Sequence, residues 1–446
     1  MRDPQPGVPG RPRAPGTPSV AVLVELVRGP TSGGHVKCWE RFAEAAVALG
    51  PAATGVDLTV YVLGDRPGVE PWAPHVRFVT LRPLLSTAPL TRRVGGADAT
   101  DLAPHHPTLA RLLRRHDVWH LTHVFAFAAT AARLARRARR ADAPPRPGRR
   151  PLLVGSVHTD VPALTAAYLQ RLTASTPWRD ARRLPEALAE AVVRRRRDRL
   201  LRACDRVLVA TPSQRAEIAH VVGGDRVALL GRGIDRRRFR PDPAARSALR
   251  TALGVPEQAV TVLFVGRVDA SKRALLLAEA VRLLRAHGHA VHLVVVGSGP
   301  DSSRVTTLLG PAATVLGPVP QQRLARIYAG CDVFAFPSRS ETIGNVVAEA
   351  MASELPVVLP AGARTTRWLA EPGRDGMVVA DDRPEGWARA LALLVTRPAL
   401  RAELGRRAGV TARGRHRSWE QVLAEDLLPL WRPAPRPADR HPAGGR

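Results

Sequence analysis

The sequence predicts an α/β protein with two doubly wound, Rossmann-like domains that face a central cleft. The chain has 446 residues, which is too long for one ordinary hydrophobic core and suits two domains. Short apolar segments alternate with helical patterns along most of its length, as in parallel sheets covered by helices. One stretch rich in proline and charge, RFRPDPAARSALRTALGVPEQ, interrupts that alternation and marks the predicted boundary. Function is expected in the loops at the carboxyl ends of the strands, where such sheets bind ligands.

In the first half of the chain, predicted strands alternate with predicted helices. Short apolar runs predict strands at residues 20–24, 58–63, 76–81, 118–121, 152–157 and 206–210. Apolar residues at helical spacing predict helices at residues 36–49, 108–115, 125–139 and 184–203. The last helix carries four consecutive arginines, 194–197, which we interpret as a solvated face.

The second half repeats the pattern. Its strands are predicted at residues 260–265, 291–296, 315–316, 333–336, 357–359 and 377–379. Two successive α/β series of this kind indicate two domains rather than one extended sheet.

The charge of the chain is strongly positive, at +28, and it comes almost entirely from arginine. Lys37 and Lys272 are the only lysines. This bias, together with abundant Ala, Pro and Gly, is typical of GC-rich coding sequence. An anionic membrane surface remains a candidate partner, whereas scattered arginines and few aromatic residues argue against nucleic acid.

The remaining composition indicates a cytoplasmic protein, with peripheral attachment at the inner membrane face left open. Cys38, Cys204 and Cys331 show neither paired nor metal-type spacing, which favours ordinary buried thiols in a reducing compartment. No apolar run approaches the ~18 residues of a membrane helix. The first residues, MRDPQPGVPGRPRAPGTPS, lack the apolar core of a signal peptide and predict a disordered tail.

The loop after the first strand of the second series, VGRVDASKR, brings two cations together. Arg267 and Lys272 lie five positions apart on it. An arginine fork and a compact lysine charge suit a pyrophosphate. Two surface charges would be the ordinary alternative, but one of the two lysines in the chain stands here, which favours phosphate binding.

The next strand ends in GSGPD. Gly297 and Gly299 would let a flat base or a ribose approach the backbone, although a plain turn explains the pattern almost as well.

The segment SRSETIGNVVAEAMAS places Glu341 and Glu349 eight positions apart around the start of a helix. The backbone N–H groups of Gly344, Asn345 and Val346 would favour a phosphate there. Glu349, about one turn further in, could accept two ribose hydroxyls, and Glu341 could reach a sugar or orient a cation. The alternative is a helix-start carboxylate followed by a solvated charge.

These segments together resemble the retaining GT-B glycosyltransferases of family 4. SETIGNVVAEAMAS looks like the family's E-x7-E motif, FVGRVDASK like its diphosphate loop, and GRGIDRRRFRP like its inter-domain segment. CDRVLVATPS and CDVFAFPS are similar to its recurring strand-to-Ser/Thr pattern, and RSWEQV to its closing helix. The resemblance covers about residues 19–432. On GSVHTDVPAL and GRGID it is nearest to the branch of bacterial mannosyltransferases and sulfoquinovosyl transferases.

The resemblance implies a GT-B fold and completes the domain division. The expected parts are a tail at 1–18, an acceptor domain at 19–240, a linker at 241–258, a nucleotide-sugar-binding domain at 259–416, a helix at 417–432 that packs back toward the first domain, and a tail at 433–446.

The resemblance also implies roles for the donor-side residues. Arg267 and Lys272 would bind the donor diphosphate, and Glu349 would hold the nucleotide ribose. Glu341, as a catalytic residue, would cradle the transferred sugar and its phosphate with the backbone of residues 342–346. The members of that backbone segment are Thr342, Ile343, Gly344, Asn345 and Val346, and Gly297 completes the predicted donor-binding set.

In the first domain, GPTSGGHV resembles the family's glycine-rich loop, with Gly33 and Gly34 near the reacting sugar. His158, after the strand LLVGSV, stands at the family's active-site histidine position and is the second predicted catalytic residue. His120 is interpreted as a strand residue facing the core, and the role of His123 is open.

Two positions depart from the family pattern. Glu354 in ASELPVV and Arg273 after Lys272 stand where the family usually has glycine. We expect the turn at Glu354 to be built differently or to be strained.

The expected activity is retaining transfer of a hexosyl group from a nucleotide sugar, GDP-mannose or a UDP-hexose, to a lipid, a small polyol or an aminosugar. No cofactor is expected, and because no Asp-x-Asp occurs, no metal either. One alternative is a non-enzymatic basic protein that binds a membrane or nucleic acid. Others are a sugar-nucleotide epimerase, a phosphorylase and a Rossmann oxidoreductase. GPTSGG is not G-x-G-x-x-G, which argues against the oxidoreductase, and a phosphorylase would need a cofactor lysine, for which only Lys37 is spare.

Overall fold

The computed structural model describes residues 16–29, 32–89, 99–140, 150–158, 161–162, 165, 180–341 and 343–432. The chain divides into two compact units. The first unit comprises Met1–Gly231 with Glu420–Arg446, and the second comprises Arg232–Trp419. The predicted tails fall outside the described residues, except for residues 16–18.

The first unit is built on an eight-stranded sheet in the order β3-β4-β2-β1-β5-β6-β7-β8. Its strands are β1 (Ser19–Val27), β2 (Asp57–Leu63), β3 (Gly68–Ala73), β4 (Val76–Leu81), β5 (Val118–Leu121), β6 (Leu152–Val157), β7 (Arg206–Val209) and β8 (Val227–Leu229). All neighbouring strands pair in parallel except β3 and β4. Its central strand β1 is almost fully buried, as expected for a parallel sheet covered on both faces.

Helices connect these strands. They are α1 (Gly34–Thr54), α2 (Pro107–Leu113), α3 (Ala126–Arg140), α4 (Asp180–Arg202) and α5 (Pro212–Val222). Their starts follow local chemistry: the side chain of His106 accepts a hydrogen bond from the Leu109 N–H ahead of α2, and Thr211 caps α5 through Gln214. α1 is interrupted at Gly50, whose φ of 77° is not helical.

The second unit has a six-stranded parallel sheet in the order β11-β10-β9-β12-β13-β14. The strands are β9 (Val260–Val265), β10 (Val291–Val296), β11 (Ala313–Val315), β12 (Val333–Ala335), β13 (Val357–Pro360) and β14 (Met377–Val379). The helices are α6 (Ala245–Leu253), α7 (Ala274–Ala286), α8 (Ser302–Leu309), α9 (Gln321–Gly330), α10 (Asn345–Ala352), α11 (Pro384–Thr396) and α12 (Pro398–Gly414). A short 3-10 helix, Arg364–Trp368, follows β13.

Residues 245–253 of the predicted linker form helix α6 of the second unit. Arg250 anchors it, since its guanidinium donates to the Pro256 and Ala259 carbonyls, both at 2.7 Å, and to the Asp332 carboxylate at 2.9 Å. The helix is therefore tied to the sheet rather than free to act as a spacer.

The end of the described chain is helical, at Trp419–Val422 (α13), Leu423–Leu427 and Leu428–Trp431 (α14), and from Glu420 onward it belongs to the first unit. There the ring of Trp431 stacks on that of Trp39, with 6.4 Å between the ring centroids. Trp431 also donates its Nε1–H to His120 Nδ1 at 3.0 Å. His120 is fully buried within β5, as the sequence predicted, and burial lowers its pKa to about 3. This imidazole is therefore neutral and structural.

The predicted α/β class with two parallel sheets is confirmed. Each predicted strand coincides with a strand of the structure, with differences of a few residues at the ends. The prediction missed β3 and β8. β3 is an edge strand that contains Pro71, and β8 is only three residues long.

Two further expectations from the sequence concern membrane-spanning helices and the state of the cysteines. Among the described residues, no helix combines the length and apolarity needed to cross a membrane. Cys38, Cys204 and Cys331 are buried, which agrees with ordinary buried thiols, and burial raises the pKa of Cys204 and Cys331 to about 12.

Candidate functional site

The loop after β9 is a tight turn organised by Asp269. One carboxylate oxygen of Asp269 accepts hydrogen bonds from the backbone N–H of Ser271 at 2.9 Å and of Lys272 at 3.1 Å, and from the Ser271 hydroxyl. Its other oxygen lies 3.6 Å from Nε of Arg267, whose side chain is 39% exposed. The turn thus fixes the positions from which Arg267 and Lys272 project.

The loop after β10 packs directly on the loop after β9. Gly297 has φ of 130°, and a Cβ there would lie 1.9 Å from the Gly266 carbonyl oxygen. A Cβ at Gly299 would lie 2.2 Å from the carbonyl oxygen of Val268. Close packing between the two loops therefore requires glycine at both positions, for which the sequence left contact with a base or ribose and a plain turn as alternatives. The assignment of Gly297 to donor binding remains a prediction.

The loop after β12 is joined to the loop after β9. The hydroxyls of Ser338 and Ser340 donate to the carbonyl of Ser271, at 3.4 and 3.1 Å. The ammonium of Lys272 forms an ion pair with the Glu341 carboxylate, and both side chains are largely buried. Because β9 and β12 are neighbouring parallel strands, both loops leave the same edge of the sheet. The structure thus brings the predicted diphosphate lysine against the first glutamate of the predicted motif.

Helix α10 begins at this junction. Gly344 precedes it with φ of 70°, and a Cβ there would lie 2.5 Å from Thr365 Cγ2, so glycine is required on both counts. Trp368 Nε1 donates to the carbonyl of Ile343 at 2.7 Å and holds the approach to the helix. Asn345 and Val346 are half-buried in the first turn, where N–H groups have no acceptor within the helix. Thr342 lies outside the described residues.

Glu349 lies about one turn into α10 and is anchored by a residue that the sequence did not single out. The Tyr328 hydroxyl of α9 is 3.2 Å from Glu349 Oε2 and also 3.2 Å from the carbonyl of Val346. Burial, and then the neighbouring Glu349 carboxylate, raise the pKa of Tyr328 well above its usual value. Tyr328 is therefore a fixed hydrogen-bond donor. Nothing in the local pattern of α9 distinguishes it from a core aromatic.

Asp382 is a second residue of this site that the sequence did not single out. Its carboxylate accepts from Arg273 Nη1 at 2.6 Å and from Arg339 Nη1 at 2.7 Å. These two arginines flank the Lys272 and Glu341 loops in sequence. Asp382 therefore links the ends of both loops from a distant part of the chain.

The two departures from the family pattern share one backbone conformation. Arg273 has φ of 60° and Glu354 has φ of 59°, the positive values among non-glycine residues of the described chain. The expected strain at the turn after α10 is therefore present. Gly405 and Gly409 of α12 make room for Glu354, whose carbonyl oxygen would lie 2.2 Å from a Cβ at Gly405.

The predicted residues of the first unit lie at β6 and α1. His158 follows β6, is buried, and places Nε2 2.8 Å from the Ser156 hydroxyl. The rings of His35 and Trp39 contact it, at centroid distances of 4.6 and 5.7 Å. Gly34 is the exposed first residue of α1, and a Cβ there would meet nothing within 4 Å. The roles assigned to both residues remain predictions.

Comparison with known proteins gives a family match within the second unit. Residues 259–397 match the family model described as Glycosyl transferases group 1. The D-inositol 3-phosphate glycosyltransferase of Kineococcus radiotolerans is 34% identical over 238 residues, 48% of this chain and 54% of that protein. D-inositol 3-phosphate glycosyltransferase 2 of Catenulispora acidiphila is 35% identical over 227 residues, 47% of this chain and 52% of that protein. The chain thus spans about half the length of these curated relatives.

Solved structures extend the likeness of fold to most of the chain. Sucrose-phosphate synthase from Thermosynechococcus elongatus superposes with a TM-score of 0.63 at 20% identity, covering 93% of this chain and 98% of that one. Anabaena Alr3699/HepE in complex with UDP and glucose gives 0.62 at 17% identity, covering 91% and 97%. The match to the group 1 glycosyltransferase family thus covers residues 259–397, and the two Rossmann-like sheets share the GT-B fold of these solved structures.

Proposed function

We propose that the protein transfers a hexosyl group, with retention, from a nucleoside-diphosphate sugar to a hydroxyl of a small polyol. The observation that carries the proposal is the contact between Lys272 and Glu341. It joins two loops at one edge of a parallel sheet, directly before the first N–H groups of α10. Such a junction offers cations, helix N–H groups and carboxylates to one ligand, which is what a sugar diphosphate requires.

In this proposal Lys272 and Arg267 stabilise the leaving diphosphate. Negative charge grows on it as the glycosidic bond stretches, and cations placed beforehand stabilise that charge without reorganising. Lys272 contacts Glu341 in the structure, so donor binding replaces this carboxylate with a phosphate oxygen. Glu341 is then released toward the transferred sugar, which couples the arrival of the donor to the orientation of a carboxylate.

Glu349 is proposed to hold the nucleotide ribose. A carboxylate offers about four lone-pair positions on two oxygens. Tyr328 contacts Oε2 of Glu349, and that contact fixes the orientation of the group. Fixing the carboxylate beforehand lowers the cost of ordering it when the donor binds.

A UDP-sugar is the first donor to test, because HepE, which shares the fold, was solved in complex with UDP and glucose. GDP-mannose remains the alternative. D-inositol 3-phosphate is the first acceptor to test, because the relatives at 34–35% identity carry its name. Lipid and aminosugar acceptors are the alternatives.

The experiment is a thermal-shift screen of UDP-glucose, UDP-N-acetylglucosamine and GDP-mannose, followed by a transfer assay with D-inositol 3-phosphate read by mass spectrometry. We expect one donor to stabilise the protein and to give a product that gains one hexosyl unit, with EDTA present or absent. Lys272→Ala is the test variant. Arg374→Ala is its matched control, since Arg374 is an exposed cation of the same unit, paired with Glu371. Equal stabilisation of both variants by the donor would reject the diphosphate site.

A further inference from the structure

In the first unit, one buried hydroxyl holds two histidines. Thr122 follows β5 and is 3% exposed. Its Oγ1 donates to the carbonyl of Leu23 in β1 at 2.8 Å. The same oxygen lies 3.0 Å from His35 Nε2 and 3.1 Å from His123 Nδ1. Thr122 therefore ties both imidazoles to the central strand of the sheet.

Counting the hydrogen and the lone pairs of the Thr122 hydroxyl shows which nitrogens of the two histidine rings carry a hydrogen. A hydroxyl has one hydrogen and two lone pairs. Since the Leu23 carbonyl can only accept, the Thr122 hydrogen is directed to it. Thr122 must then accept from both histidines, so His35 carries hydrogen on Nε2 and His123 carries it on Nδ1.

His123 consequently offers a lone pair on its other nitrogen. Burial lowers the pKa of His123 to about 4, so its ring is neutral at pH 7 and Nε2 is an acceptor. The Nδ1 edge is turned to the buried Thr122, while His123 as a whole is only half-buried. The Nε2 edge of the ring is the one that Thr122 does not occupy. His123 also lines, with Ser156, a cavity of about 20 Å³, which has room for about one water molecule.

The ring of His123 lies in the same cluster of side chains as His158, the predicted active-site histidine. The ring of His35 contacts that of His123 at 4.2 Å and that of His158 at 4.6 Å, both edge to face. Two strand ends supply the anchors, Thr122 after β5 and Ser156 in β6. The carboxyl ends of neighbouring parallel strands are where α/β sheets bind ligands.

We propose that His123 is an acceptor-binding residue whose Nε2 accepts a hydrogen bond from a hydroxyl of the polyol substrate, with Thr122 as its positioning residue. This assignment rests on the proposed function and adds an acceptor-side residue to it. A neutral imidazole nitrogen recognises a hydroxyl and not a phosphate dianion, which has no hydrogen to donate. The site therefore selects for a hydroxyl-rich part of the acceptor.

The first test reads the tautomers in the full-length protein with ¹⁵N-labelled histidine. Long-range ¹H–¹⁵N correlation at pH 7 should show His123 protonated on Nδ1 and bare on Nε2, and His35 protonated on Nε2. Titration with D-inositol 3-phosphate should shift the Nε2 resonance of His123. A hydrogen on Nε2 of His123, or a resonance that the polyol does not move, would overturn the proposal.

The second test separates acceptor from donor kinetics. His123→Ala should lower kcat/KM for the acceptor by about tenfold or more, as expected for a lost hydrogen bond to a substrate. It should change the donor KM much less than the acceptor kcat/KM, because the hydrogen bond that is removed is one to the acceptor substrate. Thr122→Val should also lower kcat/KM for the acceptor, though by less than His123→Ala does. Thr122→Ser, which keeps the hydroxyl, should have the wild-type value. His220→Ala is the control, as His220 is exposed on α5 of the same unit.

The two proposals fail in different ways. If wild-type protein forms no product with any donor and acceptor pair, the proposed function fails, and the titration alone decides whether His123 binds a polyol. If wild-type protein forms product and His123→Ala keeps full acceptor kcat/KM, the proposed function stands and the role of His123 is rejected.

Discussion

At the scale of single residues, Glu349 illustrates how the fold orients a group before any ligand arrives. Tyr328 fixes one of its oxygens. We predict that Glu349→Gln raises the donor KM by about tenfold and changes kcat little, because ribose contacts are alike in the ground and transition states and the amide keeps an acceptor for Tyr328. Steady-state kinetics with a varied donor checks this. A fall in kcat at unchanged KM would assign Glu349 to the chemical step instead.

Glu25 is a second informative residue because it is a carboxyl group buried within β1. Its Oε1 accepts from the Ala128 N–H of α3 at 2.5 Å. Burial raises its pKa to about 8, and the backbone N–H groups at the start of α3 and the Arg196 charge oppose this rise only in part. The folded protein therefore keeps a proton on Glu25 that the unfolded chain releases near pH 4.5.

A pH dependence of stability follows. The contribution of Glu25 is fully present below pH 4.5 and is lost as the pH rises through about 8, at about 1.4 kcal/mol per pH unit within that window. Glu25→Gln should remove this slope, so the variant gains stability relative to wild type between pH 5 and pH 8. Urea unfolding at several pH values measures the difference, with the exposed Glu371→Gln as control. Parallel curves for Glu25→Gln and wild type would contradict the account.

At the scale of elements, the turn between α10 and β13 shows how two segments adjust to one residue. Glu354 adopts positive φ, and glycines of α12 make room for it. We predict that Glu354→Gly raises the free energy of unfolding by about 0.5–1 kcal/mol, since relief of the strained φ outweighs the exposed ion pair with Arg413. Glu354→Ala, which loses the carboxylate but keeps Cβ, should not stabilise. Urea unfolding of both variants decides between relief of strain and loss of charge.

The strands could be predicted because a buried parallel strand is recognisable from its local sequence, as an apolar run between turn residues. The same reasoning could not identify Glu25, since one carboxylate inside such a run does not change the strand pattern. Tyr328 and Asp382 were missed for a different reason. Their contacts, Tyr328 with Glu349 and Asp382 with Arg273 and Arg339, join residues that are far apart in sequence.

Within the candidate site, the motif residues could be predicted and their immediate partners could not. The sequence placed Lys272 and Glu341 in loops at the same edge of the sheet, and the structure adds that they touch. It also adds a steric requirement for glycine at position 297, since the neighbouring loop passes within 1.9 Å of where a Cβ would be, and the assignment of Gly297 to donor binding stays a prediction. Such loop-to-loop packing depends on the register of two strands, which the local sequence does not encode.

At the scale of the whole molecule, the net charge of +28 predicts attraction to anionic surfaces. If the charge serves a membrane, liposomes rich in phosphatidylglycerol should bind the protein at low salt. Binding should weaken steeply as added salt shortens the screening length below about 10 Å. Co-sedimentation at increasing salt, with neutral liposomes as control, measures this. Absence of binding at low salt would indicate that the arginine content records codon usage and would favour a water-soluble acceptor.

The central claim is that the two joined loops of the second unit form a diphosphate site, and the turnover of Lys272 variants tests it most directly. Lys272→Ala should lower kcat by a factor on the order of 10²–10³, as when one transition-state donor is lost. Lys272→Arg should recover only part of this activity, because a planar fork does not replace a compact charge. Arg374→Ala should keep wild-type turnover. Full turnover of Lys272→Ala with a donor that the wild type uses would contradict the account.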